Sequence, residues 1–149
     1  MIPAQRLQLP AIAPRQYGAM LRFERSVELD PALAELIRIR ASLINGCAFC
    51  LDMHWKDARA RGESEERLYS LATWPEALVY DERERAALAL TDAVTRVEID
   101  DEVWERASAH FDADELAQVV FAITVINAWN RLCVTTRVEP GHYVPGMFG

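Results

Sequence analysis

The chain of 149 residues has a formal net charge of −7, a hydrophobic fraction of 51% and a charged fraction of 26%. These values predict one globular domain, spanning 1–149, with enough apolar residues to bury a core. An acidic chain repels nucleic-acid phosphates and anionic membrane surfaces, so we expect neither as a partner. The first residues lack the basic start and apolar run of a secretory signal, which makes the cytoplasm the expected compartment.

The two ends of the chain are rich in residues that interrupt regular structure. Segment 1–14 contains three prolines and is predicted to be an extended arm. From Arg15 to about Val27, apolar residues recur near the helical period, which predicts the first helix. The tail, 139–149, carries two prolines and three glycines and is predicted to be irregular.

Capping signals divide the region between these ends into helices. Asp30 followed by Pro31 predicts a helix start, because Asp accepts hydrogen bonds from free amides and Pro suits the first helical position. Asn45 and Gly46 predict its end, since both tolerate left-handed backbone. Similar signals predict further helices from Cys47 or Ala48 to Arg61, Ser64 to Trp74, Asp81 to about Val97, Asp100 to about Phe111 and Asp112 to about Val134.

No alternating strand pattern bounded by hairpin turns is found, so the predicted fold is all-α, a bundle of about six or seven helices. The last helix is apolar on most of its circumference, which favours a position at the centre of the bundle or at a subunit interface. We therefore expect a homo-oligomer. Polar residues interrupt this helix too often for a membrane span; they are Gln118, Asn127, Asn130 and Arg131.

The strongest chemical signal is a C-x-x-C pair, Cys47 and Cys50, directly after a turn at a predicted helix N-terminus. Residues three apart share one helix face, so the two sulfurs can meet. The helix dipole and free amides favour a thiolate, which is the reactive form of cysteine. His54 lies one turn beyond Cys50 and can exchange protons with the thiol or with a leaving oxygen. The spacing therefore predicts a nucleophile, a second thiol and an acid–base group in one site.

Two other interpretations of these residues stay open. Cys47, Cys50 and His54 are three of the four ligands that a structural zinc site needs, and Cys133 or another histidine would supply the fourth. Free cysteines also serve as small buried hydrophobic residues, which is our interpretation of Cys133. The chain has 3 cysteines and no second C-x-x-C or H-x-x-x-H pattern, which favours redox chemistry over metal binding.

The region around the cysteine pair resembles a known family. A Glu twelve positions before the first cysteine precedes the pattern S-x-x-N-x-C-x-x-C-x-x-x-H, and in this the chain resembles the alkylhydroperoxidase D-like proteins of the carboxymuconolactone decarboxylase superfamily. The resemblance extends over most of the chain, roughly 17–138. Six residues carry the pattern here: Glu35, Ser42, Asn45, Cys47, Cys50 and His54.

The resemblance implies an all-helical fold assembled as trimers or hexamers, and a peroxidase acting on a small hydroperoxide. In that mechanism Cys50 attacks the O–O bond and becomes a sulfenic acid, which Cys47 resolves to a disulfide. His54 activates Cys50, and Glu35 completes a proton relay to His54. An external dithiol, a thioredoxin-type or lipoyl-type reductant, then reduces the pair. No cofactor or metal is implied.

The chain departs from this family at one position beside the site. Well-studied relatives carry a His immediately before the second cysteine, where this chain has Phe49, which predicts a lower rate or altered docking of the reductant. The decarboxylase branch of the superfamily lacks the cysteine pair, so the pair argues against lactone decarboxylation. A disulfide oxidoreductase or redox sensor without peroxide turnover remains the main alternative function.

Overall fold

The chain is folded into helices and connecting segments in the computed structural model, which describes residues 1–2 and 4–148. These residues contain no β-strand, so the predicted all-α class is confirmed. Within these described ranges the structure has eight α-helices and one 3₁₀ helix, against the six or seven helices predicted. They are α1 (Leu9–Ile12), α2 (Pro14–Ser26), α3 (Pro31–Asn45), α4 (Ala48–Ala60), α5 (Glu65–Tyr69), the 3₁₀ helix (Ser70–Glu76), α6 (Glu82–Arg96), α7 (Asp101–His110) and α8 (Ala113–Thr136).

Side-chain caps fix the starts of the long helices. At the start of α3, Asp30 accepts a hydrogen bond from the Leu33 amide at 3.0 Å, with Pro31 at the first helical position. Asp112 and Glu115 cap α8 reciprocally, each side chain bonding the other residue's amide, and an equivalent box opens α6. One cap contributes about 0.5–2 kcal/mol. The capping signals in the sequence therefore located these helix starts.

Helix α3 lies at the centre of the bundle and packs against α4, α6 and α8. Its faces separate two apolar clusters. We call the one between α3, α6, α7 and the first half of α8 the apolar-end cluster; it consists of Leu33, Ile37, Ala86, Ala87, Leu90, Ala107, Phe111, Leu116, Val119, Ala122 and Ile123. The other joins α3 to α4, α5, the 3₁₀ helix and α6, and consists of Leu36, Ile39, Ala58, Leu68, Leu71, Trp74, Tyr80 and Leu88.

The N-terminal arm is extended only in its first half. Leu9–Ile12 forms one helical turn that includes Pro10, and Pro14 begins α2. Prolines fit these positions because the first amides of a helix have no acceptor within the helix. The prediction of an extended arm over 1–14 is therefore wrong for the second half, and Pro3 lies outside the described residues.

Both chain ends pack against the bundle. The Arg6 amide donates to the carbonyl of Thr136 at 2.8 Å. The tail is irregular as predicted, although Gly149 lies outside the described residues. It turns back over α4, where the Gly141 amide donates to Asp52 at 3.1 Å and Tyr143 is buried. The irregular tail therefore packs against α4 through Gly141 and Tyr143.

Helix α8 passes through the whole bundle. Although its polar residues led us to expect otherwise, by length and composition it could cross a membrane, with a mean hydropathy of 1.3 over its most apolar window. Half of that window is buried inside the protein. The core helix of a globular bundle has the same composition, because it is covered on most of its circumference.

Candidate active site

The turn between α3 and α4 presents the two cysteines at a helix N-terminus. Gly46 adopts left-handed backbone with φ of 68°, and its amide bonds the Ser42 carbonyl to end α3. Glycine takes this conformation without steric cost. Cys47 then occupies the N-cap of α4, where its sulfur accepts a hydrogen bond from the Cys50 amide at 3.3 Å.

Cys47 and Cys50 are joined by a disulfide, with their Cα atoms 5.4 Å apart. The predicted meeting of the two sulfurs is therefore confirmed. Both residues are buried, at 2% and 1% exposure. The free amides and the dipole at the start of α4 stabilise negative charge on a sulfur at this position.

A buried carboxylate holds the imidazole one turn further along α4. Glu35 projects from α3, and its Oε2 lies 3.0 Å from Nδ1 of His54. Both side chains are buried. Because a carboxylate only accepts, Nδ1 donates, which leaves Nε2 as the nitrogen that can take or deliver a proton. The structure thus brings Glu35 and His54 together, as the predicted relay requires.

The charge state of Glu35 is set by opposing influences. Burial, the largest of them, raises the pKa of its carboxyl, but the hydrogen bond and charge of His54 lower it, with help from Arg38 and Arg61. The balance leaves the pKa of Glu35 below its ordinary value. Arg38 donates to Oε1 at 3.0 Å, whereas Arg61 lies 3.8 Å away. Glu35 is therefore an anion at neutral pH, the form that can stabilise an imidazolium.

Two further residues reach this pair that the sequence did not single out as site residues. Oxygen and nitrogen ligand atoms of Asp57, Glu35 and His54 all lie within 4.8 Å of one another. The Tyr143 hydroxyl donates to Oδ1 of Asp57 at 2.7 Å. Burial, together with the Asp57 hydrogen bond, raises the pKa of Tyr143 to about 12, so the phenol stays a donor. The tail therefore orients a second carboxylate beside the relay.

Cys133 lies beside the disulfide rather than elsewhere in the core. The sulfurs of Cys47, Cys50 and Cys133 all lie within 4.8 Å of one another. Our prediction of a buried cysteine is confirmed, at 9% exposure, but its position next to the pair is new. In the sequence, the position of Cys133 is indicated only by helical spacing, which puts Ile126, Asn130 and Cys133 on one face of α8.

A buried amide network ties this end of α8 to α3. Asn130 is fully buried, donates to the Ser42 hydroxyl at 3.0 Å and accepts from Asn45 at 2.9 Å. Asn45 also donates to Asn127 at 2.9 Å. Asn45 therefore does more than form a turn: it fixes the residues just before the cysteine pair against the last helix.

The candidate ligand atoms fall into two separate groups. His54 clusters with Glu35 and Asp57, whereas Cys47 and Cys50 cluster with Cys133. The zinc set of the two cysteines with His54 is therefore not gathered in one cluster. A dithiol that cycles with a disulfide, one helical turn before a carboxylate-held imidazole, is instead suited to two-electron redox chemistry with proton transfer.

Comparison with known proteins agrees with this geometry. A model of the carboxymuconolactone decarboxylase family matches residues 13–93, which is more than half of the chain. The uncharacterized Bacillus subtilis protein YdfG is 38% identical over 137 residues, covering 88% of this chain and 93% of that protein. The uncharacterized Escherichia coli protein YnjA is 32% identical over 101 residues, covering 66% of this chain and 56% of that protein.

Solved structures extend the comparison to the fold. Agrobacterium tumefaciens ATU0492, a protein of unknown function named as a candidate AhpD antioxidant defence protein, matches with a TM-score of 0.90 and 37% identity, covering 94% of this chain and 100% of that one. The debrominase Bmp8 matches with a TM-score of 0.76 over 89% of this chain and 72% of that one, but at 18% identity the likeness concerns the fold alone. The chain therefore belongs to the carboxymuconolactone decarboxylase family, as an AhpD-like member.

Proposed function

We propose that this protein is a thiol-dependent peroxidase that reduces hydroperoxides through the Cys47–Cys50 pair. One observation carries the proposal: the disulfide lies at a helix N-terminus, one turn before an imidazole that a buried carboxylate holds at 3.0 Å. A nucleophile, a resolving thiol and a proton donor are the groups that peroxide reduction needs. The family membership and the AhpD name of a similar structure support the same chemistry.

The first step is attack by the Cys50 thiolate on one peroxide oxygen. The S–O bond forms as the O–O bond breaks, and the departing alkoxide takes a proton from Nε2 of His54. The products are a Cys50 sulfenic acid and an alcohol. Glu35, as an anion, stabilises the imidazolium before this transfer. We assign the attacking role to Cys50 because it matches the family pattern and is one turn from His54.

The second step closes the disulfide. The Cys47 sulfur attacks the sulfenic sulfur, and the hydroxyl leaves as water, so the two thiols together supply the two electrons that the peroxide consumed. The Cys50 amide donates to Sγ of Cys47 and so stabilises negative charge on the resolving sulfur. An external dithiol of thioredoxin or lipoyl type then restores both thiols by exchange. Such an enzyme would work as a homo-oligomer in the cytoplasm.

Steady-state turnover of cumene hydroperoxide with a dithiol reductant tests this proposal. Cys50→Ser should reduce turnover to background, because a serine hydroxyl does not ionise near neutral pH. Cys47→Ser should still consume one peroxide per chain and accumulate a sulfenic acid that dimedone traps. Circular dichroism of both variants checks that the bundle is intact. Undiminished turnover in a folded Cys50→Ser variant would reject the assignment.

The alternative function, a disulfide oxidoreductase or redox sensor, shares the cysteines but needs no proton relay. A protein of that kind would reduce or form disulfides in a partner and leave alkyl hydroperoxides untouched. Wild-type protein that exchanges disulfides readily yet produces no alcohol from cumene hydroperoxide would favour it.

A further inference from the structure

The proposed peroxidase reaction uses two sulfurs, but three are gathered at the site. Cys133 on α8 lies close to Cys47 and Cys50, and the three sulfurs are all within 4.8 Å of one another. All three are buried, at 2%, 1% and 9% exposure. Three sulfurs bound evenly to one centre at about 2.3 Å stand at most about 4.0 Å apart. Because the three sulfurs lie within 4.8 Å of one another, they can share one centre after the disulfide opens and the side chains rotate inward.

Apolar side chains make up the cluster to which these sulfurs belong. Ala41 and Ile126 complete the buried cluster, and Phe49 and Trp129 pack against it. Burial raises the pKa of Cys133 to about 11, so this thiol is neutral and a poor nucleophile near neutral pH. Cys133 is therefore unsuited to attack the disulfide, and it keeps its proton until a ligand displaces it.

The site offers three ligands and not four. Among His, Cys, Asp and Glu of residues 1–2 and 4–148, no further member joins the three-sulfur group, since His54 clusters with Glu35 and Asp57. Structural zinc prefers four ligands in a tetrahedron. A centre that is complete with three soft sulfur ligands fits the geometry better.

The net charge of the complex distinguishes between candidate centres for the three sulfurs. Three thiolates around a monovalent or divalent metal leave a net negative charge, and burying a net charge among apolar side chains is costly. Trivalent arsenic leaves none: arsenous acid is neutral, three S–As bonds replace three As–O bonds, and the three thiol protons depart with the hydroxyls as three waters. No electron is transferred, and the product is a neutral three-sulfur complex.

We propose that the reduced protein binds trivalent arsenic through Cys47, Cys50 and Cys133. Binding requires only that the disulfide can be reduced, not that the chain turns over peroxide, so the two proposals fail independently. Because the oxidised pair offers no free thiol, the disulfide form should bind none. The redox state of the pair would then decide whether the site accepts arsenic.

Native mass spectrometry of the full chain with sodium arsenite tests the proposal directly. The protein is reduced, freed of reductant without air and titrated. A three-sulfur complex adds one arsenic atom and loses three hydrogens, whereas a two-sulfur complex keeps one hydroxyl on arsenic and is heavier by one water. We expect the lighter adduct for the wild type, protection of all three cysteines from alkylation, and no adduct for the oxidised protein.

Two variants on α8 provide the comparison. Cys133→Ala should give only the hydroxyl-bearing adduct and raise the arsenite Kd by more than the roughly 10–100-fold that outer-shell changes cost a metal site. Ile123→Val, a packing control away from the sulfurs in the apolar-end cluster, should bind like the wild type. A hydroxyl-bearing adduct on the wild type, or equal Kd values for wild type and Cys133→Ala, would overturn the proposal.

Discussion

The two halves of α8 lie in contrasting surroundings. Its first half packs Leu116, Val119 and Ile123 into the apolar-end cluster. Its second half presents Asn130 and Cys133 to the end of α3 and the start of α4, beside the disulfide. One continuous helix therefore contributes to both ends of the bundle. Its first half stabilises the fold by burying apolar side chains, and its second half packs beside the reactive groups of α4.

The surface groove of this protein does not lie at the end of α8 that carries the candidate site. A groove lined by Trp104, Phe111 and Val120 opens at the apolar end. Thirteen residues separate Val120 from Cys133, which is about 20 Å along the helix axis. The groove is therefore remote from the sulfurs. The candidate site is therefore identified by its reactive side chains and not by a surface groove.

The largest expected effect comes from the apolar end. Ile123→Ala removes a fully buried side chain and should lower the free energy of unfolding by about 2–5 kcal/mol. Peroxide turnover per folded molecule should stay unchanged, because Ile123 belongs to the apolar-end cluster and the cysteines belong to a different one. Urea unfolding combined with kinetics at a temperature where the variant is folded checks both. A large loss of turnover in the folded variant would contradict the separation of stability and activity between the two ends of α8.

At the other end, Glu35→Gln should show the reverse pattern. Turnover should fall about a hundredfold, the lower limit of typical general acid–base effects, because glutamine cannot stabilise the imidazolium. Glu65→Gln is the matched control, since that carboxylate is more than half exposed and pairs with Arg59 at the surface. Steady-state kinetics measures both variants. Equal rates for Glu35→Gln and Glu65→Gln would remove Glu35 from the mechanism and favour the redox-sensor alternative.

The stabilisation from the Glu35 anion should depend on pH in a defined direction. Its pKa is lowered in the folded chain, so the unfolded chain, with a carboxyl pKa of about 4.3, binds the proton more readily. This contribution is fully present above the unfolded pKa and disappears as pH falls through the folded pKa. The unfolding free energy of oxidised wild type relative to oxidised Glu35→Gln should therefore decrease below about pH 4.3. A difference that grows on acidification would contradict the lowered pKa.

Local features of the fold were predictable because they depend on neighbours in sequence. The caps at Asp30 and Asp112 lie where predicted, and Gly46 ends α3 as expected. Helix α6 stops at Val97, as predicted, whereas α8 continues two residues past its predicted end. Both helices end at a non-glycine residue in left-handed backbone, Val97 and Arg137. Such residues carry no end signal in the sequence.

The site was predictable only where its members share a helix or a motif. The spacing of Cys47, Cys50 and His54 follows from one helix, whereas Glu35 was identified by the family pattern alone. Asp57 with Tyr143, and Cys133 with the disulfide, meet only through tertiary packing of α4 against the tail and α8. No sequence spacing encodes those contacts, so the structure was required to find them.

A single-turnover experiment tests the central claim most directly. Reduced protein is mixed without air with one equivalent of cumene hydroperoxide, and the products are measured by mass spectrometry and peptide mapping. We expect one equivalent of cumyl alcohol, the loss of two hydrogens from the protein, and a disulfide between Cys47 and Cys50, with Cys133 still free. Unreacted peroxide beside two intact thiols, or oxidation that leaves Cys50 untouched, would contradict it.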